Sequence, residues 1–147
     1  MNDPYKMKLT SKDFFHSKKE IQCKVSVVLK GYLNNRGLKL INPISRAYKK
    51  HDIIELIATN ETEAAPGKTV DSIAYIAFAE LQNSGVILVG DPVLYKGEEI
   101  GKIAGYDDTH LPNHQNVIVK ATEMKSGEEL NLKVDDEIIF PGFWQII

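Results

Sequence analysis

The segment IQCKVSVVLKG alternates along its length. Ile21, Cys23, Val25, Val27 and Leu29 are apolar, Gln22, Lys24, Ser26 and Lys30 are polar, and Val28 is the single exception. Successive side chains of a strand point to opposite faces, so this period fits a half-buried strand and fits a helix poorly. Short β-prone runs fill much of the remaining chain: DIIELIA (52–58), VILV, PVLY, IGKIAGY, NVIVKATE, ELNLKV and EIIF. Turn-forming stretches separate them, among them GD, KGEE, MKSGE and DD. Turn signals at such regular spacing predict a mostly β fold: a small barrel-like or sandwich domain of short antiparallel strands, with little helix. The 147 residues suffice for one domain spanning 1–147 with its own core.

Several connections can be read locally. After the first strand, Asn34-Asn35-Arg36-Gly37 is turn chemistry, and LKLI then returns as a second strand. VDSIAYIAFAEL (70–81) is ambiguous. Its alanines and an Asp71 cap favour a helix, whereas Val70, Ile73, Tyr75, Ile76 and Phe78 favour a strand buried on both faces. The QNSG that follows, leading into VILVGD, has the form of a hairpin loop and favours the strand. Asp52, Asp91 and the Asp135-Asp136 pair each stand just before an apolar strand start. An aspartate there is expected to bond its own backbone two residues on and turn the chain. Gly97, Gly101 and Gly105 match no phosphate-binding motif and are expected at bends of a hairpin, with Glu98 and Glu99 at its tip.

Charge is unevenly placed. Residues 1–51 hold twelve Lys/Arg against three acidic residues, a surplus of +9 in a chain whose net charge is −2. Such asymmetry raises nucleic-acid binding through the basic N-terminal third, with residues 1–19 as a flexible basic arm or short helix. The absence of an RNP-like aromatic motif, a helix-turn-helix pattern or an Arg cluster argues against it and for a solvated basic face. No apolar run approaches the ~18 residues of a membrane span, and the N-terminus has no apolar signal core. The single cysteine, Cys23, excludes an internal disulfide and fits a reducing compartment. A cytoplasmic protein is expected. The apolar tail 140–147, FPGFWQII, would be sticky if left in water. It is expected to pack on the barrel or on a second copy, which favours a homo-oligomer.

The chemistry concentrates in GYDDTHLPNHQN, residues 105–116. Asp107, Asp108, His110, Asn113 and His114 are the candidate ligand-binding residues, and Asp107, Asp108, His110 and His114 the candidate metal ligands. His110 and His114 have the i, i+4 spacing of a helical pair, but Pro112 between them excludes an ordinary helix. A bent loop can still converge two imidazoles with one of the aspartates, three donors of the kind a divalent ion such as zinc takes at about 2.0–2.2 Å. His16, Cys23 and His51 are the remote candidates for a fourth. Any catalysis here would be general acid–base chemistry or metal-assisted hydrolysis, with His110 or His114 as base and Asp107 or Asp108 as its partner. Thr109 lacks an assured activating base and is a poor nucleophile. Turn residues are common in loops that bind nothing, so a structural or interaction domain without a catalytic site is the competing reading.

Overall fold

The computed structural model describes residues 17–142. The tail residues 143–147, His16 and most of the N-terminal basic arm lie outside the described residues. Twelve strands follow in order: β1 (Ile21–Val28), β2 (Tyr32–Leu33), β3 (Leu38–Lys39), β4 (Ser45–Tyr48), β5 (Ile53–Thr59) and β6 (Thr69–Val70). Then come β7 (Ile73–Leu81), β8 (Gly85–Leu88), β9 (Pro92–Tyr95), β10 (Glu98–Asp107), β11 (Gln115–Lys120) and β12 (Glu137–Phe140). None of the described residues is helical, and no helix is long and apolar enough to cross a membrane.

Seven strands close on themselves in the order β1-β12-β9-β10-β11-β5-β7, with β7 pairing back to β1. Closure leaves no bare edge in the ring. The mostly β, barrel-like expectation holds, and so does the strand at 73–81. One pair departs from the antiparallel expectation: β11 runs parallel to β5, with Gln115 opposite Ile54 and Asn116 opposite Glu55. The reason is arithmetic. Directions cannot alternate all the way round a ring with an odd number of strands, so at least one neighbouring pair must be parallel.

Two expected hairpins do not form. β8 follows β7 but pairs with β4, and LKLI supplies β3, which pairs with β6 rather than β1. Both edges of β7 are taken by β1 and β5, and both edges of β1 by β12 and β7, so neither strand can accept its sequence neighbour. β9 and β10 do form the tight hairpin, turning on Lys96 and Gly97 with φ of 52° and 79°. That is the left-handed pair a two-residue turn demands. ELNLKV is not a strand. Ser126 and Glu129 cap one another there, the Glu129 carboxylate accepting from Ser126 N–H at 2.9 Å and the Ser126 hydroxyl from Glu129 N–H at 3.3 Å. The resulting turn buries Leu132 in the core and leaves Val134 exposed.

The aspartate turns share one geometry. Asp52, Asp91 and Asp136 each accept from the backbone N–H three residues earlier, at 2.8, 2.9 and 2.9 Å from Lys49, Leu88 and Lys133. Each also donates its own N–H to that same residue's carbonyl, at 3.1, 3.0 and 3.0 Å. The residue just before each aspartate has positive φ: His51 at 79°, Gly90 at 94° and Asp135 at 74°. The aspartate therefore closes the turn behind it rather than bonding two residues ahead. The carboxylate reaches back because the next residues are already committed to a strand ladder.

Two apolar layers result. Inward-facing Ile54, Leu56, Val117, Val119, Tyr106 and Ile138 belong to the barrel core. On the outer face Ile57, Ile73, Ala104 and Ile118 are covered by Leu38, Leu40, Ala64 and Val70. Cys23 lies in the inner core, and burial pushes its thiol up to about 12. A free thiol titrates near 8.5. The folded pKa is the higher one, so the thiol's contribution to stability is complete below about pH 8.5 and is lost as pH rises toward 12. Native protein at pH 8 is expected to resist a thiol-reactive chromophore and to label fully in denaturant. Rapid stoichiometric labelling without denaturant would contradict this burial.

Candidate functional site

The parallel pair positions the site. Because β5 and β11 point the same way, the turn entering β5 and the loop entering β11 arrive at the same end of the barrel. Glu55 is the third residue of β5, on the outer face, level with Asn116 of β11 and Phe78 of β7. The β10–β11 loop folds over this end through two short turns. Leu111 N–H donates to the Asp108 carbonyl at 3.1 Å and Asn113 N–H to the His110 carbonyl at 2.9 Å. The Leu111–Pro112 bond within them is cis.

Those turns stack the two imidazoles, with ring centroids 5.0 Å apart and planes tilted by 31°. His114 Nε2 lies 2.9 Å from Glu55 Oε1, and both side chains are less than a tenth exposed. The Phe78 and His114 rings meet nearly at right angles, at 85°, with centroids 4.9 Å apart. His110 is exposed and forms the open side. One donor atom from each of Glu55, His110 and His114 falls within 4.8 Å of the others.

The carboxylate beside the rings is thus Glu55, and neither candidate aspartate joins this group. Asp107 is buried, and its Oδ1 accepts from Thr109 N–H and Asn116 Nδ2, both at 3.0 Å, while Oδ2 accepts from Lys39 N–H at 3.2 Å. It pins β3 and the loop to the barrel. Asp108 Oδ1 accepts from Gln115 Nε2 at 2.6 Å, and Gln115 Oε1 accepts from Arg46 Nε at 3.0 Å and from the Tyr48 hydroxyl. Burial raises the Tyr48 hydroxyl above its ordinary range, so it stays a donor in this network. Asn113 supports the site directly, with Oδ1 2.6 Å from His114 Nδ1. Of the remote candidates, Cys23 is in the core and His51 pairs at 2.7 Å with Glu80 on an exposed surface.

The hydrogen bonds constrain the protons. Nδ1–H of His114 donates to Asn113 Oδ1, so the neutral ring has its bare Nε2 lone pair facing Glu55 Oε1 at 2.9 Å. Two acceptors at that distance repel unless a proton or a metal ion sits between them. Asn116 adds a further acceptor across the β5–β11 pair: its Oδ1 is buried with no hydrogen-bond partner among the described residues. An unsatisfied buried acceptor costs about 1–3 kcal/mol. On the open side Arg36 Nη2 lies 3.3 Å from His110 Nε2. The Arg36 main chain is held by Asp71, whose carbonyl accepts Arg36 N–H at 3.2 Å and whose Oδ1 accepts Gly37 N–H at 3.0 Å.

A family model described as a family of unknown function (DUF6917) matches residues 15–141. The chain belongs to that family. The match takes in the whole DUF6917 barrel together with Arg36, Glu55, His110 and His114. No curated protein and no solved structure matches this DUF6917 chain.

Of the two residues that sequence reading missed, Glu55 carries a signal and Arg36 does not. Glu55 is a lone carboxylate inside the apolar run DIIELIA, and a charge at a strand position with apolar neighbours on both sides needs a partner. Arg36 stands in a turn where any polar residue is unremarkable, and no sequence signal marks it. A separate cleft of about 740 Å³ lies elsewhere. It is lined by Asn60, Glu98, Gly101, Lys120 and Glu123 among others, at the opposite end of β5, β10 and β11 from the imidazoles.

Proposed function

We propose that this barrel binds a divalent first-row metal ion, zinc in the first instance, through Glu55, His110 and His114. The observation that carries this reading is the Glu55–His114 contact at 2.9 Å, with His114 Nδ1 committed to Asn113. A metal-binding imidazole normally gives its other ring N–H to an outer partner, and Asn113 fills that role. Tetrahedral zinc with ligands at about 2.0–2.1 Å needs donor atoms on the order of 3.4 Å apart. The three donor atoms lie within 4.8 Å of one another, so binding requires them to close on the ion. Three protein donors and one open position form the arrangement of a zinc ion that acts on a ligand or activates a water.

Purified protein, stripped and reloaded, is expected to hold one zinc per chain. His110→Ala with His114→Ala should lose it, and Glu55→Gln should weaken it at least 100-fold while the near-UV spectrum is unchanged. Protons compete for the same nitrogens, so affinity should rise with pH. No stoichiometric zinc in the wild type, or equal zinc in the double variant, sinks the reading.

Without a metal, a proton takes its place between His114 Nε2 and Glu55 Oε1, both ring nitrogens are then occupied, and the pair is a structural contact. Self-association is a separate proposal. Val27, Tyr32 and Leu33 are each close to half exposed and follow one another along β1 and β2. Sedimentation of a Leu33→Lys variant at the same mass as the wild type would count against that surface. A reducing cytoplasmic location fits the free, buried Cys23.

A further inference from the structure

We infer that the metal centre takes a small oxyanion, a carboxylate or phosphate group, held between the ion and the Arg36 guanidinium. This rests on the metal reading above. A guanidinium offers five N–H donors and no acceptor, and it is not deprotonated in proteins. Its contact on this face is His110 Nε2 at 3.3 Å, and among the described residues it has no carboxylate partner. An ion that takes His110 Nε2 must displace Arg36 from that atom.

Charge then selects the ligand. A divalent ion carries +2, Glu55 supplies −1, the two imidazoles are neutral and Arg36 adds +1, so the ion, its ligands and the guanidinium together sum to +2. Nearby acids keep their charge, but among the described residues their hydrogen bonds go neither to the guanidinium nor to the imidazoles. Asp107 accepts from Lys39, Thr109 and Asn116, and Asp108 from Gln115. Asp71 Oδ1 is occupied by Gly37 N–H. Two adjacent cations repel until an anion lies between them. The planar fork of an arginine suits two oxygens of one carboxylate or phosphate while another face of the group meets the ion. Asp71 anchors the Arg36 backbone, and the guanidinium lies against His110. His110 is exposed, so the oxyanion would reach the ion from solvent.

Full-length protein loaded with cobalt(II) in place of zinc reports both steps through its visible absorption. The wild type is titrated with inorganic phosphate and, separately, with acetate at constant chloride. A saturable spectral change with one or both anions is expected, and which anion is tighter distinguishes a phosphoryl from a carboxylate preference. Arg36→Ala should keep one cobalt per chain but weaken anion half-saturation at least tenfold. Arg36→Lys, a point charge without the fork, should recover part of that loss. Failure of the wild type to bind cobalt overturns the metal reading and this inference together. Cobalt-loaded wild type that ignores both anions, or an Arg36→Ala protein that responds like the wild type, overturns the anion site alone.

Discussion

Asp91→Ala is expected to destabilise the domain by about 3–5 kcal/mol. The Asp91 carboxylate is paired with Lys18 Nζ at 3.2 Å, and the side chains are 1% and 3% exposed. The same carboxylate closes the turn into β9 by accepting Leu88 N–H at 2.9 Å. Lys18 Nζ also donates to the Pro141 carbonyl at 3.1 Å, so the ion pair ties the chain before β1 to the end of β12. Sequence reading places this lysine, within KKE, on a solvated basic face. The structure corrects that, because closing the barrel brings the start of β1 and the turn before β9 together. Removing the aspartate leaves a cation in a site with almost no water, and that accounts for most of the loss. For a domain of this size the thermal midpoint should fall by roughly 10–20 °C. Asp91→Asn keeps an acceptor for Leu88 and removes only the charge. Lys18→Met combined with Asp91→Asn should therefore recover most of the single-variant loss. A midpoint for Asp91→Ala within 2–3 °C, or about 1 kcal/mol, of the wild type would show the pair to be dispensable.

Gly127→Ala should cost about 3 kcal/mol or more, the upper range for overpacking a tight site. A Cβ on Gly127 would stand 1.9 Å from the Ile76 carbonyl oxygen and 3.0 Å from that of Leu29. Both atoms belong to backbone that cannot rotate away. Gly127 N–H donates to the Tyr75 carbonyl at 3.0 Å and Glu128 N–H to that of Leu29 at 3.0 Å, so the turn is laced between the ends of β1 and β7. Relief of the overlap must open these bonds and withdraw Leu132 from the core. Gly97→Ala is the informative control. Its φ is +79° with nothing within 4 Å of the added carbon, so it carries only the left-handed backbone penalty, about 1–2 kcal/mol. Chemical denaturation of the two variants separates steric overlap from conformational strain. Equal midpoints would mean that the segment after Ser126 yields freely, contrary to the packing seen here.

Both predictions concern contacts between residues remote in the chain, and this divides what was legible. IQCKVSVV could be read as β1 because the alternation of Ile21, Cys23 and Val25 is a property of neighbouring residues. KGEE could be read as a hairpin because Lys96 and Gly97 meet the turn's demand locally. QNSG misled for a physical reason: its turn chemistry is sound, yet the partner it implied for β8 was already flanked on both sides. ELNLKV alternates as a strand should, but a capped turn at Ser126 and Glu129 uses that alternation to bury one leucine instead.

The site divides along the same line. The polar character of 105–116 and the bend at Pro112 were visible in the residues themselves, and so was the candidacy of His110, Asn113 and His114. Asp107 and Asp108 were equally plausible there, because a carboxylate's type does not reveal whether backbone amides have already claimed it. Local order in this chain, its strands and aspartate-closed turns, follows from the sequence because those preferences are settled among near neighbours. The choice of Glu55 as the carboxylate beside the imidazoles, and of Arg36 as the cation facing them, was made only by the tertiary fold. A seven-membered ring must place two strands parallel, and that pairing joins the start of β5 to the loop before β11, a neighbourhood set by closure of the whole barrel.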